Sequence, residues 1–207
     1  MRVALIDYRA GNLTSVKKAF AALGADLFVP VQPGEIDDAD AVVVPGVGHF
    51  GATATLAAEW TGAIRRGIDA GRPLLGICLG MQWLFEGSAE APDCAGLGVL
   101  AGHCYRLPSD ASIPAGTTVK IPHVGWNALD VQRADSIVEG VPQGSQVYFT
   151  HSFAAPITED TVAVTVHGQP FAAIVQRGRV PGVQFHPEKS GEVGLRILRN
   201  FLKLAGG

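Results

Sequence analysis

The spacing of apolar and polar positions changes character part-way along the chain, near Gly87. Before that point, short apolar runs alternate with stretches patterned for helices. The run 2–7, Arg-Val-Ala-Leu-Ile-Asp, predicts a strand buried on both faces. Leu13, Val16, Phe20 and Leu23 then recur at helical spacing, with Asn12 placed to cap that helix and Gly24 to stop it. Residues 25–31 and 40–46 predict two further strands, and Thr53 to Ala70 a helix with a possible break near Gly62. Residues 72–78 are strand again, followed at once by a helix from Leu79 to about Phe85. Strand and helix in alternation imply a parallel sheet with helices on both faces.

Beyond Gly87 the runs are short and punctuated by Gly and Pro. Segments 102–108, 117–122, 146–153, 161–168, 171–178 and 180–187 predict antiparallel hairpins. Ser190 to Leu204 returns to helix, with Val193, Ile197 and Phe201 on one face. No linker and no repeat divides the chain. The pattern predicts one α/β domain over 1–207, a mostly parallel sheet flanked by helices with an antiparallel region added.

Composition narrows the function classes. Apolar residues are 47% and charged residues 17%, which argues against disorder. A net charge of −3 without a basic block offers nothing to nucleic acid or to an anionic membrane. The six His and three Cys lack metal-site spacing, so no metal is expected. The N-terminus lacks a leader's apolar core, and no run approaches the roughly 20 residues that span a bilayer. The expectation is a soluble, cytoplasmic protein.

One stretch carries candidate chemistry. Residues 74–85, LLGICLGMQWLF, set Cys78 between Gly76 and Gly80 where a strand meets a helix. This is the pattern of a nucleophile elbow, with cysteine in the serine's place. A helix N-terminus favours the thiolate, and the Leu79 N–H would face a developing oxyanion. A small buried hydrophobe fits the same turn equally well. A partner base would decide between them, and VQFHPEKS offers one. His186 and Glu188 lie two residues apart on extended chain, so Glu188 could orient the imidazole while its other nitrogen faces Cys78. Read alone, His-Pro-Glu merely ends a strand. Together with Cys78 it completes a triad.

PGVGHFG (45–51), GICLGMQ (76–82) and HPEKS (186–190), in this order, resemble the class I, or triad, glutamine amidotransferases. KIPHVGWN (120–127) and VYFTHSF (147–153) are similar to the glutaminase subunits of imidazole glycerol phosphate synthase. The resemblance implies a flavodoxin-like fold and glutamine as substrate. It also implies ammonia delivery to a (β/α)8-barrel cyclase partner, and no cofactor. It gives Cys78, His186 and Glu188 the catalytic roles. The oxyanion hole falls to Leu79 and, after a backbone flip permitted by Gly46 and Gly48, to Val47. Gly46, Gly48, Gln82, Thr150, His151 and Ser152 are expected at the substrate. Asn12, His123, Trp126, Tyr148 and Lys189 are expected at the partner face, with 120–127 a rigid loop there. A glutaminase of another pathway, a Cys-His hydrolase of other substrates and a non-catalytic scaffold are the competing readings.

Overall fold

The computed structural model describes residues 1–11, 13–109 and 119–206. Asn12 and part of the expected strand 117–122 lie outside the described residues. The first strands are β1 (Arg2–Leu5), β2 (Asp26–Phe28), β3 (Ala41–Val44), β4 (Leu74–Ile77), β5 (Gly87–Ser88) and β6 (His103–Arg106). They are followed by β7 (His123–Ala128), β8 (Asp130–Val131), β9 (Gln146–His151) and β10 (Phe153–Ala154). The last are β11 (Thr161–His167), β12 (Gln169–Arg177) and β13 (Val180–Val183). The helices are α1 (Leu13–Ala22), α2 (Ala58–Asp69), α3 (Leu79–Trp83) and α4 (Gly191–Gly206).

Eight strands form the main sheet in the order β2-β1-β3-β4-β13-β12-β11-β8. The pairs from β2 to β13 are parallel, and those from β13 to β8 antiparallel. The alternate faces of the strands account for the continuous apolar runs. Val3, Leu5, Val43, Leu75 and Ile77 pack toward Val16, Phe20, Ile197 and Phe201, which belong to α1 and α4. Ala4, Ile6, Val42, Val44 and Leu74 pack on the other side with Ala63 and Ile64 of α2 and Met81 of α3. Phe20 and Phe201 meet edge to face, with centroids 6.3 Å apart, and join the two helices on the first side. Among the described residues, no helix is long and apolar enough to cross a membrane.

Several expectations are corrected by the structure. The helix expected from Thr53 to Ala70 is two elements, a 3-10 turn over Phe50–Thr55 and then α2. The break falls at Ala57, whose backbone is extended at ψ 171°, and not at Gly62 within α2. His49 starts the earlier turn separately, its Nδ1 accepting from the Gly51 N–H at 3.0 Å. Residues 119–122 are not a strand, whereas 123–128, taken for a loop, are one, paired antiparallel with β9. Finally, β13 is more than a hairpin arm. It pairs antiparallel with β12 and parallel with β4, which brings the chain back beside the first half of the sheet.

Candidate active site

Three strand ends converge because of that pairing. Val44 of β3 lies opposite Gly76 of β4, and Ile77 of β4 opposite Val183 of β13. The segments that leave these strands, Pro45–Gly48, Cys78–Gly80 and Gln184–Glu188, therefore emerge at one edge. Ligands of open parallel sheets bind beyond the carboxyl ends of the strands.

Cys78 sits at φ 54°, ψ −107°, a conformation that L-residues avoid. Such strain costs about 1–3 kcal/mol and persists only where the surroundings enforce it. Here the Cys78 N–H donates to the Val183 carbonyl at 2.7 Å, and the Cys78 carbonyl accepts from Gln82 at 3.1 Å. The flanking glycines allow the turn to close. A Cβ on Gly76 would lie 2.6 Å from the Gly80 oxygen, and one on Gly80 would lie 1.8 Å from the Val44 oxygen. The thiol is 4% exposed, with the Gln184 Nε2 donating to Sγ at 3.6 Å.

His186 and Glu188 lie behind the sulfur. His186 is 2% exposed, and its Nδ1 is 2.8 Å from Glu188 Oε1. Its backbone is held by a 2.9 Å bond from its N–H to the Tyr148 carbonyl. Nε2 is buried and makes no completed hydrogen bond among the described residues. Burial by itself would lower the imidazole pKa, but the contacts with Cys78 and Glu188 outweigh it and carry the value up to about 10. The ring is thus favoured in its charged form beside Sγ, with the proton on Nε2 available for transfer.

A cavity of about 290 Å³ opens over Cys78. Of the expected substrate residues, Gly48, Gln82, Thr150, His151 and Ser152 line it, and Gly46 does not. Gln82 Nε2 donates to the Phe153 carbonyl at 2.8 Å and to Gln184 Oε1 at 3.2 Å. Both its hydrogens are spent, so toward a ligand Gln82 can only accept. Glu90, Pro122 and Phe153 also line the cavity and were missed from sequence. Glu90 had a readable signal, since it is a carboxylate placed shortly after the elbow helix. Its distance from the elbow in sequence gave no reason to bring it back. A 2.7 Å bond from the Phe50 N–H to Glu90 Oε2 does so.

The chain matches the family model of class I glutamine amidotransferases over residues 4–205. The chain is a class I glutamine amidotransferase. It is 43% identical over 203 residues to imidazole glycerol phosphate synthase subunit HisH of Syntrophotalea carbinolica, covering 96% of this chain and 98% of that one. It is 45% identical over 206 residues to the HisH subunit of Moorella thermoacetica, covering 98% and 94%. Among solved structures, PurLQS from Thermotoga maritima superposes with a TM-score of 0.74 at 20% identity, covering 98% of this chain and 97% of that one. That last likeness bears on the fold alone.

In this amidotransferase the segment expected to complete an oxyanion hole turns its own carbonyl onto the Leu79 N–H. The Leu79 N–H donates to the Gly46 carbonyl at 3.3 Å, so that oxygen occupies the direction an oxyanion would take. Val47 is half exposed, and Gly48 has φ +106° with open space where a Cβ would be. Gly46 has no such room: its Cβ would meet the Tyr8 hydroxyl and the Leu79 Cβ. Tyr8 is buried with its hydroxyl unpaired among the described residues.

The expected partner-face residues divide. Trp126 is 54% exposed on β7, next to Val124, and its ring meets Tyr148 edge-on at 6.0 Å. Lys189 Nζ lies 5.7 Å from the centre of the Tyr148 ring. Trp126, Tyr148 and Lys189 form one surface, tied to His186 by the bond from the His186 N–H to the Tyr148 carbonyl. His123 is not on it. At 1% exposure it points inward, because alternate residues of β7 face opposite sides and Val124 and Trp126 take the outer one. Of the cysteines given no role, Cys104 is buried in β6 and Cys94 is partly exposed.

Proposed function

We propose that residues 1–207 act as one glutaminase domain that hydrolyses glutamine at Cys78 and passes the ammonia to a (β/α)8-barrel cyclase partner in histidine biosynthesis. The observation that carries this reading is the strained Cys78 elbow backed by the 2.8 Å His186–Glu188 pair.

Cys78 Sγ attacks the side-chain amide carbon of glutamine, and His186 Nε2 delivers the thiol proton to the departing nitrogen, which leaves as ammonia. The thioester left on Cys78 is then attacked by water. His186 takes one proton from that water, glutamate departs, and the thiol is restored. Glu188 keeps Nδ1 as the protonated nitrogen throughout, so Nε2 is the one that exchanges. Glu90 is the carboxylate among the cavity's lining residues and matches the α-ammonium group of glutamine.

The Gly46 carbonyl restrains this cycle. Rotation of the Gly46–Val47 peptide would free the Leu79 N–H and add that of Val47, giving two donors to the oxyanion. Loss of one such donor typically costs about 2.7–4 kcal/mol of barrier. The free chain should therefore turn over slowly, and docking at the Trp126–Tyr148–Lys189 surface is the event that releases it.

A diazo-ketone analogue of glutamine tests the site directly. Mass spectrometry should find one adduct, on Cys78, that is absent from Cys78→Ser; an adduct elsewhere with Cys78 unmodified overturns the assignment. Glutamate release is then compared for the chain alone and with the cyclase and its ribonucleotide. Cys78-dependent release that rises with both is expected, and equal rates in all conditions refute the restraint. Trp126→Ala should weaken association with the cyclase by about 30-fold, the effect of a 2 kcal/mol hot spot.

A further inference from the structure

Beside the pocket, β7 and β9 bury a histidine pair that the glutaminase cycle does not use. His151 Nε2 lies 3.0 Å from His123 Nδ1. The remaining nitrogen of each ring is also committed. His151 Nδ1 is 2.8 Å from the Phe153 carbonyl oxygen, and His123 Nε2 is 2.8 Å from Asn127 Oδ1. Both ends of this row are acceptors. A carbonyl oxygen cannot donate, and the Asn127 amide is fixed because its Nδ2 donates to the Val166 carbonyl at 2.9 Å. The reversed amide would set two oxygens against each other. Three contacts in a row therefore need three N–H groups.

Two neutral imidazoles supply only two, and the end acceptors claim both. The middle contact would then be a pair of lone pairs facing each other at 3.0 Å in a buried site, an arrangement that a low dielectric penalises. One further proton converts it to N–H⁺···N and satisfies every group in the row.

We propose that His123 and His151 form a proton-binding site that takes up one proton as a unit, and that this proton holds the wall of the glutamine pocket in place. The groups around the pair leave it as the acceptor of that proton. His167 of β11 stacks on His123 with centroids 3.9 Å apart, and its Nε2 donates to the Lys120 carbonyl. Phe149 of β9 stacks on the other ring face at 4.9 Å, and Phe171 of β12 meets His151 at 5.0 Å. His186 contributes a repulsive charge, and among the described residues no carboxylate hydrogen-bonds either ring. Burial, first, and then the charges of His167 on both rings and of His123 and His186 on His151, pull the rings down, His123 to about 4 and His151 to about 3. The shared bond acts in the opposite sense, and the pair titrates as one group.

The pair is a positioning device. The Phe153 carbonyl that accepts from His151 also accepts from Gln82, and the Thr150 carbonyl lies 3.9 Å from Cys78 Sγ. Through His123 the same row reaches β7, whose outer side carries Val124 and Trp126. Its kinetic consequence rests on the glutamine-pocket reading; the proton count does not.

The test is an imidazole-nitrogen NMR titration of the full chain, labelled in histidine and assigned with His123→Gln and His151→Gln. The rings should move together in one step with a midpoint above pH 5. Asn127→Leu removes one acceptor, so two protons suffice, and the midpoint should fall by at least one pH unit. Asn127→Asp supplies a carboxylate and should raise it by at least one. Separate steps near 3 and 4, or a midpoint that ignores both variants, overturns the proton site, whether or not glutamine is the substrate. In steady-state assays KM for glutamine should rise at least threefold as pH passes the midpoint, and Asn127→Asp should move that rise upward. A flat KM with the NMR step present overturns the positioning role.

Discussion

Gly80→Ala is the smallest change that should separate the nucleophile from its oxyanion strand. The added methyl would stand 1.8 Å from the Val44 oxygen and 2.7 Å from its carbonyl carbon, where real contacts essentially never fall below 3.0 Å. The gap must open by at least 3.0 − 1.8 = 1.2 Å. Neither obstructing atom belongs to a side chain that could rotate away. Val44 ends β3, is paired with Gly76, and leads straight into Pro45–Gly48. Whatever moves, the start of α3 and the oxyanion segment part company. Alanine in a helix recovers about 1 kcal/mol over glycine, while overpacking costs about 1–3 kcal/mol, so the net loss is at most about 2 kcal/mol. At roughly 2–4 °C per kcal/mol for a chain of this size, Tm should fall by no more than about 8 °C. Activity should suffer far more, since a misplacement of about 1 Å costs about 100-fold. Glutamate release in the presence of the cyclase, with thermal unfolding on the same preparations, reads both quantities. Gly62→Ala is the control: its methyl would meet only Arg66 Nη1, at 3.7 Å, so stability should hold or rise with activity intact. A Gly80→Ala enzyme with kcat within threefold of the parent would refute this account of the elbow.

Other consequences are equally direct. Glu188→Gln removes one of the contacts that raise His186, so the imidazole should lose its proton well below the value of about 10 it now has, as nitrogen NMR would register. Because that pKa is raised in the folded state, the stability it brings is complete below the ordinary value of 6.5 and is lost as pH rises through about 10. Urea midpoints at pH 6 and pH 10 should therefore differ more in the parent chain than in His186→Ala. Phe201→Ala removes a fully buried ring of α4 that packs edge to face on Phe20 of α1. It should cost about 3–5 kcal/mol of unfolding free energy with kcat little changed at 25 °C.

Much of this protein was legible in its sequence because the physics involved is local. The apolar runs at 2–7 and 40–46 are buried on both faces, and such strands require cover on each side, so the parallel layered fold follows. Cys78 between two glycines is local too, since only a chain lacking Cβ atoms at 76 and 80 can pass Gly80 and Val44 so closely. His186 and Glu188 meet through a spacing of two. Element breaks were less legible, because the turn over Phe50–Thr55 starts on His49 and the break after it falls at an extended Ala57, not at a glycine.

What only the tertiary structure decided depends on pairings between distant segments. β13 lies between β4 and β12, and this alone brings His186 to Cys78 across more than a hundred residues. Strand β7 escaped notice because its apolar outer face, Val124 and Trp126, reads as an exposed loop until β9 pairs with it and turns His123 inward. Glu90 reached the pocket through one bond to Phe50, and the Gly46 carbonyl took up the Leu79 N–H through another. A sequence specifies which groups are available and what each prefers nearby. Which acceptor a given N–H finally meets is settled by packing, because it depends on segments far apart in the chain.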